Sequence, residues 1–202
     1  FKPAERTAGC TRVVYNMVNI YELTVAALAE QEGYEVAYRN FVLEEASSEQ
    51  FFSFLENDDS DVYLLWTVNL SIPTDIQVER FIHAKRPESI CIFLGPGATY
   101  FAKSLLGHPA SVVVRGEPED TVRELLRYIS EGKDWRTIVG ISFWDENQVV
   151  ENAPRPLIKN LDELPFPAIH FVEKFVFSNP KLKVSPYMAM VTSRNCPFHC
   201  IY

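Results

Sequence analysis

The apolar positions of this chain follow two alternating rhythms. Leu23, Ala26, Ala27 and Glu30 fall at helical spacing, which predicts a helix over Tyr21 to Gln31 that Gly33 ends. Thr11 to Tyr15 before it and Glu35 to Leu43 after it read as strands. Ser47 caps a second helix, with Glu49 or Gln50 completing the cap and Phe51, Phe52, Phe54 and Leu55 giving it an apolar face. Asp61 to Thr67 is nearly continuous in apolar character, the mark of a strand covered on both faces. The pattern then predicts a helix over Pro73 to Lys85, a strand over Ser89 to Leu94, a tight turn at Gly95-Pro96-Gly97 and a short helix over Thr99 to Leu106. A strand over Ser111 to Arg115 and a helix over Pro118 to Glu131 follow, with Pro118 suited to a first turn and Gly132 to an end.

Five strands alternating with five helices predict an α/β fold: a doubly wound, mostly parallel five-stranded Rossmann-like domain over residues 1–134. Ligands of such sheets bind at the carboxyl ends of the strands. That rule selects the loops near Asn16, Glu44, Thr67 to Ser71, Gly95 to Thr99 and Arg115 to Glu119. After Asp134 the rhythm changes. Ile138 to Trp144 and Gln148 to Glu151 read as a hairpin turning at Asp145-Glu146-Asn147. Six of the thirteen prolines fall between 154 and 186, which predicts a linker that wraps a surface, so that 135–186 reads as hairpin and linker. Tyr187 to Thr192 reads as a strand that delivers Cys196, the start of a further unit over 187–202.

Composition narrows the function. The 202 residues are 47% hydrophobic and 13% aromatic, enough to fold around a core. A formal net charge of −8 argues against a basic nucleic-acid surface. No run of about 18 apolar residues predicts a membrane span, and no apolar stretch after Phe1-Lys2-Pro3 reads as a signal peptide. The lack of an initiator methionine suggests a start further upstream. Four cysteines, Cys10, Cys91, Cys196 and Cys200, do not form a secreted disulfide framework, and a reducing cytoplasm fits them better. Cys91, inside Ile90 to Leu94, reads as a buried small hydrophobe.

The chemistry concentrates at the C-terminus. Cys196 and Cys200 are two soft ligands on a loop leaving a strand, a pattern open to an iron–sulfur cluster or to zinc. The run Thr192-Ser193-Arg194-Asn195-Cys196-Pro197-Phe198-His199-Cys200-Ile201-Tyr202 resembles the start of the radical S-adenosylmethionine (SAM) motif, three cysteines spaced C-x3-C-x2-C with an aromatic residue before the third. The resemblance implies that Cys196 and Cys200 bind a 4Fe-4S cluster, that residue 203 is the third cysteine, and that the chain stops inside the motif. It further implies that Tyr202 lies near the SAM adenine. Reduced clusters of this family cleave SAM to a 5′-deoxyadenosyl radical, drawing electrons from a donor such as flavodoxin or ferredoxin.

The front of the chain resembles radical SAM proteins with an N-terminal cobalamin-binding domain. The matching segments are Leu94-Gly95-Pro96-Gly97-Ala98-Thr99, Val113-Val114-Arg115-Gly116-Glu117 and Asn160-Leu161-Asp162-Glu163-Leu164-Pro165-Phe166-Pro167-Ala168. The resemblance implies cobalamin contacts from Thr67, Val68, Asn69, Leu70 and Ser71, from Gly95, Pro96, Gly97, Ala98 and Thr99, and from Arg115, Gly116 and Glu117. Gly95 and Gly97 allow close approach, and Thr67, Asn69, Ser71 and Thr99 offer polar side chains. On the residues alone, the glycine turn also fits a plain strand–helix connection, and Arg115 also fits a surface pair with Glu117. The D-x-H-x-x-G motif of many cobalamin domains is absent. His83 reads as a surface residue, His108 precedes Pro109 at a helix end, and Val68 or Leu70 is placed to cover the lower face of cobalt. The implied activity is that of an enzyme, a methyltransferase acting on a small-molecule substrate at an unactivated centre. Oxidative ring formation, or a front domain that binds no cobalamin and serves only for docking, are the other readings. A methylthiotransferase fits less well, since its front domain carries three cysteines.

Overall fold

The computed structural model describes residues 18–41, 43–177, 183–184, 186–191 and 193–194. Its elements run α1 (Ile20–Gln31), α2 (Ser48–Asn57), β1 (Val62–Trp66), α3 (Ile72–Lys85), β2 (Ile90–Leu94), α4 (Pro96–Leu105), β3 (Ser111–Val114), α5 (Glu119–Ser130), β4 (Ile141–Asp145) and β5 (Gln148–Glu151). The five strands form one sheet in the order β1-β2-β3-β4-β5. β1, β2 and β3 are parallel, whereas β4 and β5 join antiparallel.

Strand alternation decides which helix covers which face. Ile92, Leu94, Val112 and Val114 pack with Val25 and Ala29 of α1 and with Val122, Leu125 and Leu126 of α5. Cys91, Phe93 and Val113 point the other way, toward Leu55 of α2, Val78 and Ile82 of α3 and Ala98, Ala102 and Leu105 of α4. The result is a three-layer α/β/α arrangement with helices on both faces. Cys91 is fully buried, as expected of a small hydrophobe. α2 begins in the expected capping box: Ser47 Oγ accepts from Gln50 N at 3.2 Å, and Ser47 N donates to Gln50 Oε1 at 2.8 Å.

Four expectations change. The sheet is mixed, parallel only in its first three strands, because the hairpin at 141–151 adds to the same sheet. Its turn takes positive φ at Glu146 and Asn147, the geometry that matches the twist of a two-residue hairpin. Residues 35–40 form no ladder with a described residue. Their alternation is real, but Tyr34 and Val36 pack against the α1–α5 side and the Tyr38 hydroxyl donates to Glu22 at 2.9 Å. The linker both wraps and packs: Ala168 N donates to Leu23 O at 3.0 Å, and Val172 and Phe177 are buried beside α1. Finally, residues 187–191 pair with no described strand. The expected Thr11–Tyr15 strand and Asn16 lie outside the described residues, as do Cys10 and Thr192. Among the described residues no helix is long and apolar enough to cross a membrane.

His83 is a correction of another kind, since it is buried. Its ring stacks on His108 at 3.7 Å between centroids, and Nε2 lies 3.1 Å from Ser111 Oγ. Ser111 in turn donates to the buried Glu79 carboxylate at 2.7 Å. This polar cluster sits at the amino end of β3, opposite the loops considered next.

Candidate cofactor site

Because β1, β2 and β3 run parallel, the loops that follow them emerge on one edge of the sheet. Hydrogen bonds join these loops directly. Gly97 N donates to Thr67 O at 2.9 Å, tying the loop after β2 to the loop after β1. Gly116 N donates to Thr99 Oγ1 at 3.0 Å, tying the loop after β3 to the start of α4. The three segments predicted from sequence are thus brought together.

The two glycines serve an approach of chain to chain. A Cβ on Gly97 would lie 2.7 Å from Val68 C and 2.9 Å from Thr67 O. One on Gly95 would lie 2.9 Å from Thr67 O and 3.0 Å from the Trp66 ring, and Gly95 also takes φ +101. Pro96 then opens α4 at its first position, where its missing N–H costs nothing.

The polar side chains are mostly engaged inside the loops. Thr67 is fully buried. Ser71 Oγ accepts from Val68 N at 3.0 Å and lies 2.6 Å from Asp75 Oδ2. Burial raises the Asp75 carboxyl pKa, against the hydrogen bonds from Ser71 and Thr67 that lower it. Thr99 Oγ1 donates to Gly95 O at 3.1 Å while accepting from Gly116. Ala98 is buried against the α3–α4 core. Val68 is half-buried, while Asn69, Leu70, Pro96 and Gly116 are exposed on this edge. Leu70 is 62% exposed and Tyr100, in the second turn of α4, is 79% exposed. The edge therefore presents apolar side chains and backbone over a rigid, internally bonded base.

Arg115 and Glu117 do not pair with each other. Arg115 donates to Ile141 O at 3.1 Å and to Asn152 O, which clamps the hairpin to β3. Glu117 accepts from Ile158 N at 2.7 Å. Its second partner is Arg194, whose Nη1 lies 3.8 Å away. Arg194 Nη2 also donates to Glu119 Oε1 at 2.6 Å, and the guanidinium sits 5.1 Å from the centre of the Tyr21 ring. Arg194 stands in the cysteine run and Glu119 at the end of the Arg115–Glu119 loop segment, but their contact with each other and with Tyr21 is visible only in the folded chain. The available signal was an arginine two positions before Cys196 together with one acidic residue in the β3–α5 loop, Glu117, and one at the start of α5, Glu119. Cys196, Cys200 and Tyr202 lie outside the described residues. Among the described residues no cluster of His, Cys, Asp and Glu is arranged to hold a metal ion.

No protein-family model matches the chain. An uncharacterised methyltransferase of Pyrococcus horikoshii is 26% identical over 187 residues, which span 89% of this chain and 39% of that protein. The anaerobic magnesium-protoporphyrin IX monomethyl ester cyclase of Synechocystis is 27% identical over 134 residues, 64% of this chain and 26% of the cyclase. The cytidylyl-2-hydroxyethylphosphonate methyltransferase of Streptomyces wedmorensis is 25% identical, with 88% of this chain and 42% of the enzyme covered. The chain thus spans well under half the length of these curated relatives. Among solved structures, the cobalamin-dependent SAM radical enzyme OxsB, with aqua-cobalamin and SAM bound, superposes with a TM-score of 0.65 at 16% identity, covering 77% of this chain and 22% of OxsB. The radical SAM methyltransferase TsrM of Kitasatospora setae, with cobalamin and a 4Fe-4S cluster bound, superposes with a TM-score of 0.59 at 17% identity, covering 75% of this chain and 29% of TsrM. The structural relatives of this chain are cobalamin-dependent radical SAM enzymes, and its fold is that of a portion of them.

Proposed function

We propose that this chain is the front part of a cobalamin-dependent radical SAM enzyme, with methyl transfer to an unactivated centre of a small molecule as its reaction. The observation that carries the reading is the joining of the loops after β1, β2 and β3 on one edge, in a fold shared with enzymes solved with cobalamin bound. In this reading residues 1–134 form the cobalamin-binding domain. Residues 135–186 form a hairpin and linker, the hairpin lying in the same sheet, and 187–202 begin the radical SAM domain.

The residues fit a corrin as follows. The exposed Leu70 and half-buried Val68 offer an apolar surface, and no histidine stands among 67–71, 95–99 and 115–117 to ligate cobalt. Val68 or Leu70 would cover the lower face of a bound corrin, and Asn69 would offer it an exposed amide. Thr67, Ser71 and Thr99 act by holding the loop backbones in place. Pro96 and Ala98 set the start of α4, and Gly95, Gly97, Arg115, Gly116 and Glu117 complete the edge. Cys196 and Cys200 would hold the cluster, and Tyr202 would contribute to the SAM site. When bound, these cofactors supply a transferable methyl group and a carbon-centred radical for hydrogen abstraction. The reading calls for a low-potential electron donor such as flavodoxin or ferredoxin, a cytoplasmic setting and no nucleic-acid partner.

The similarity to the Synechocystis cyclase favours one further reading, radical ring formation with the same cofactors. The assignment is tested in the full-length protein reconstituted anaerobically with iron and sulfide. Wild type should bind about four irons and release 5′-deoxyadenosine from SAM on reduction, and Cys196→Ala should abolish both. Deoxyadenosine release by Cys196→Ala at the wild-type rate would overturn the cluster assignment. Methylated product with no cyclised product separates the two reaction types.

A further inference from the structure

Arg194 differs from exposed arginines such as Arg127 in what it pairs with. Arg127 is 58% exposed where it meets Glu32, the kind of pair that salt screens and that fixes little. Arg194 is 14% exposed and reaches Glu119, which is fully buried at the first position of α5. A buried carboxylate needs a partner, and among the described residues Oε2 of Glu119 has none. Arg194 therefore supplies the charge that Glu119 requires. Its flat guanidinium also lies over Tyr21, which stacks on Trp66 at 5.9 Å, and Trp66 is the side chain that Gly95 lies against. One residue thus contacts the loop after β3 and, through Tyr21 and Trp66, the base of the loops after β1 and β2.

Arg194 also precedes Cys196 by two residues, and two residues of extended chain span at most about 7 Å. Resting on the function proposed above, we infer that Arg194 is a positioning residue. It tethers the start of the cysteine run to the carboxyl edge of the sheet through Glu117, Glu119 and Tyr21, and so sets the separation between the cluster and the corrin.

The test uses the full-length protein as wild type, Arg194→Lys, Arg194→Ala and the neutral pair Arg194→Gln with Glu119→Gln. Arg194→Ala leaves a buried charge unpaired and loses stability for that reason alone. The neutral pair removes the charge-assisted bond and leaves no charge buried at 119, while Glu117 keeps its hydrogen bond from Ile158. In cofactor-free protein, thermolysin cleavage within 188–191 should rise about tenfold in the neutral pair, the effect of losing one charge-assisted bond, and less in Arg194→Lys. After reconstitution, the magnetic coupling between cob(II)alamin and the reduced cluster, read by electron paramagnetic resonance, should weaken in the neutral pair at unchanged iron and cobalamin content. Wild-type cleavage and wild-type coupling in the neutral pair would overturn the tether. If wild type takes up neither cofactor, the proposed function fails, and the cleavage rates still decide whether the tether exists.

Discussion

Gly97→Ala is expected to destabilise the chain by about 2–4 kcal/mol and to remove cobalamin binding together with the lost stability. The new methyl group would lie 2.7 Å from a backbone atom of Val68 and 2.9 Å from the Thr67 carbonyl oxygen, and neither can swing away as a side-chain tip can. The two loops must separate, which breaks the Gly97 N–Thr67 O bond at the site itself. The thermal midpoint should fall by roughly 5–15 °C. Gly107→Ala is the control. Nothing lies within 4 Å of its added Cβ, so that variant should stay within about 0.5 kcal/mol of wild type. A Gly97→Ala protein with wild-type melting and wild-type corrin retention would show that the loops after β1 and β2 need not touch.

The second large effect is a loss of stability in acid that depends on His83. Burial, with the neighbouring His108 charge second, lowers the His83 pKa from the ordinary imidazole value of 6.5 to about 4. The unfolded chain takes up a proton as pH falls through 6.5, whereas the folded chain resists until about 4. Stability is therefore full above 6.5 and lost as pH falls through that window, by up to about 3 kcal/mol. The Glu79 carboxylate, 3.7 Å away, favours the protonated ring and reduces the loss. Arg86 helps the proton on through its backbone. His83→Gln keeps a hydrogen-bonding group toward Ser111 and cannot titrate. Urea unfolding at pH 7 and at pH 4.5 should show a smaller acid loss in His83→Gln than in wild type. Equal losses would mean that other groups carry the acid sensitivity.

Some of this architecture is legible in the chain because the signals are local. The Ser47–Gln50 cap spans four residues and needs no distant partner. The apolar runs at 62–66, 90–94 and 111–114 read as buried parallel strands because both of their faces are covered. Other features depend on partners far along the chain. Residues 35–40 alternate as a strand does, yet alternation records which side is buried and says nothing about a ladder partner. His83 reads as a surface residue because its neutral, buried state is created by Ser111, 28 residues away, and by His108. No acidic residue lies between Glu173 and Arg194, so its role is hidden along the chain, and its partner Glu119 lies 75 positions earlier. Gly95-Pro96-Gly97 reads as a tight turn before a helix at Thr99, yet Gly95 is the N-cap and α4 already begins at Pro96, and what the glycines approach, the backbone at 67–68, appears only in three dimensions.

The most direct test of cobalamin binding is an absorbance titration of this chain with hydroxocobalamin, followed by desalting. Near-stoichiometric corrin should remain after desalting, with a spectrum that differs from free hydroxocobalamin and shows no dependence on His83 or His108. Complete loss of the corrin on desalting would contradict it and would leave the front domain as a docking module.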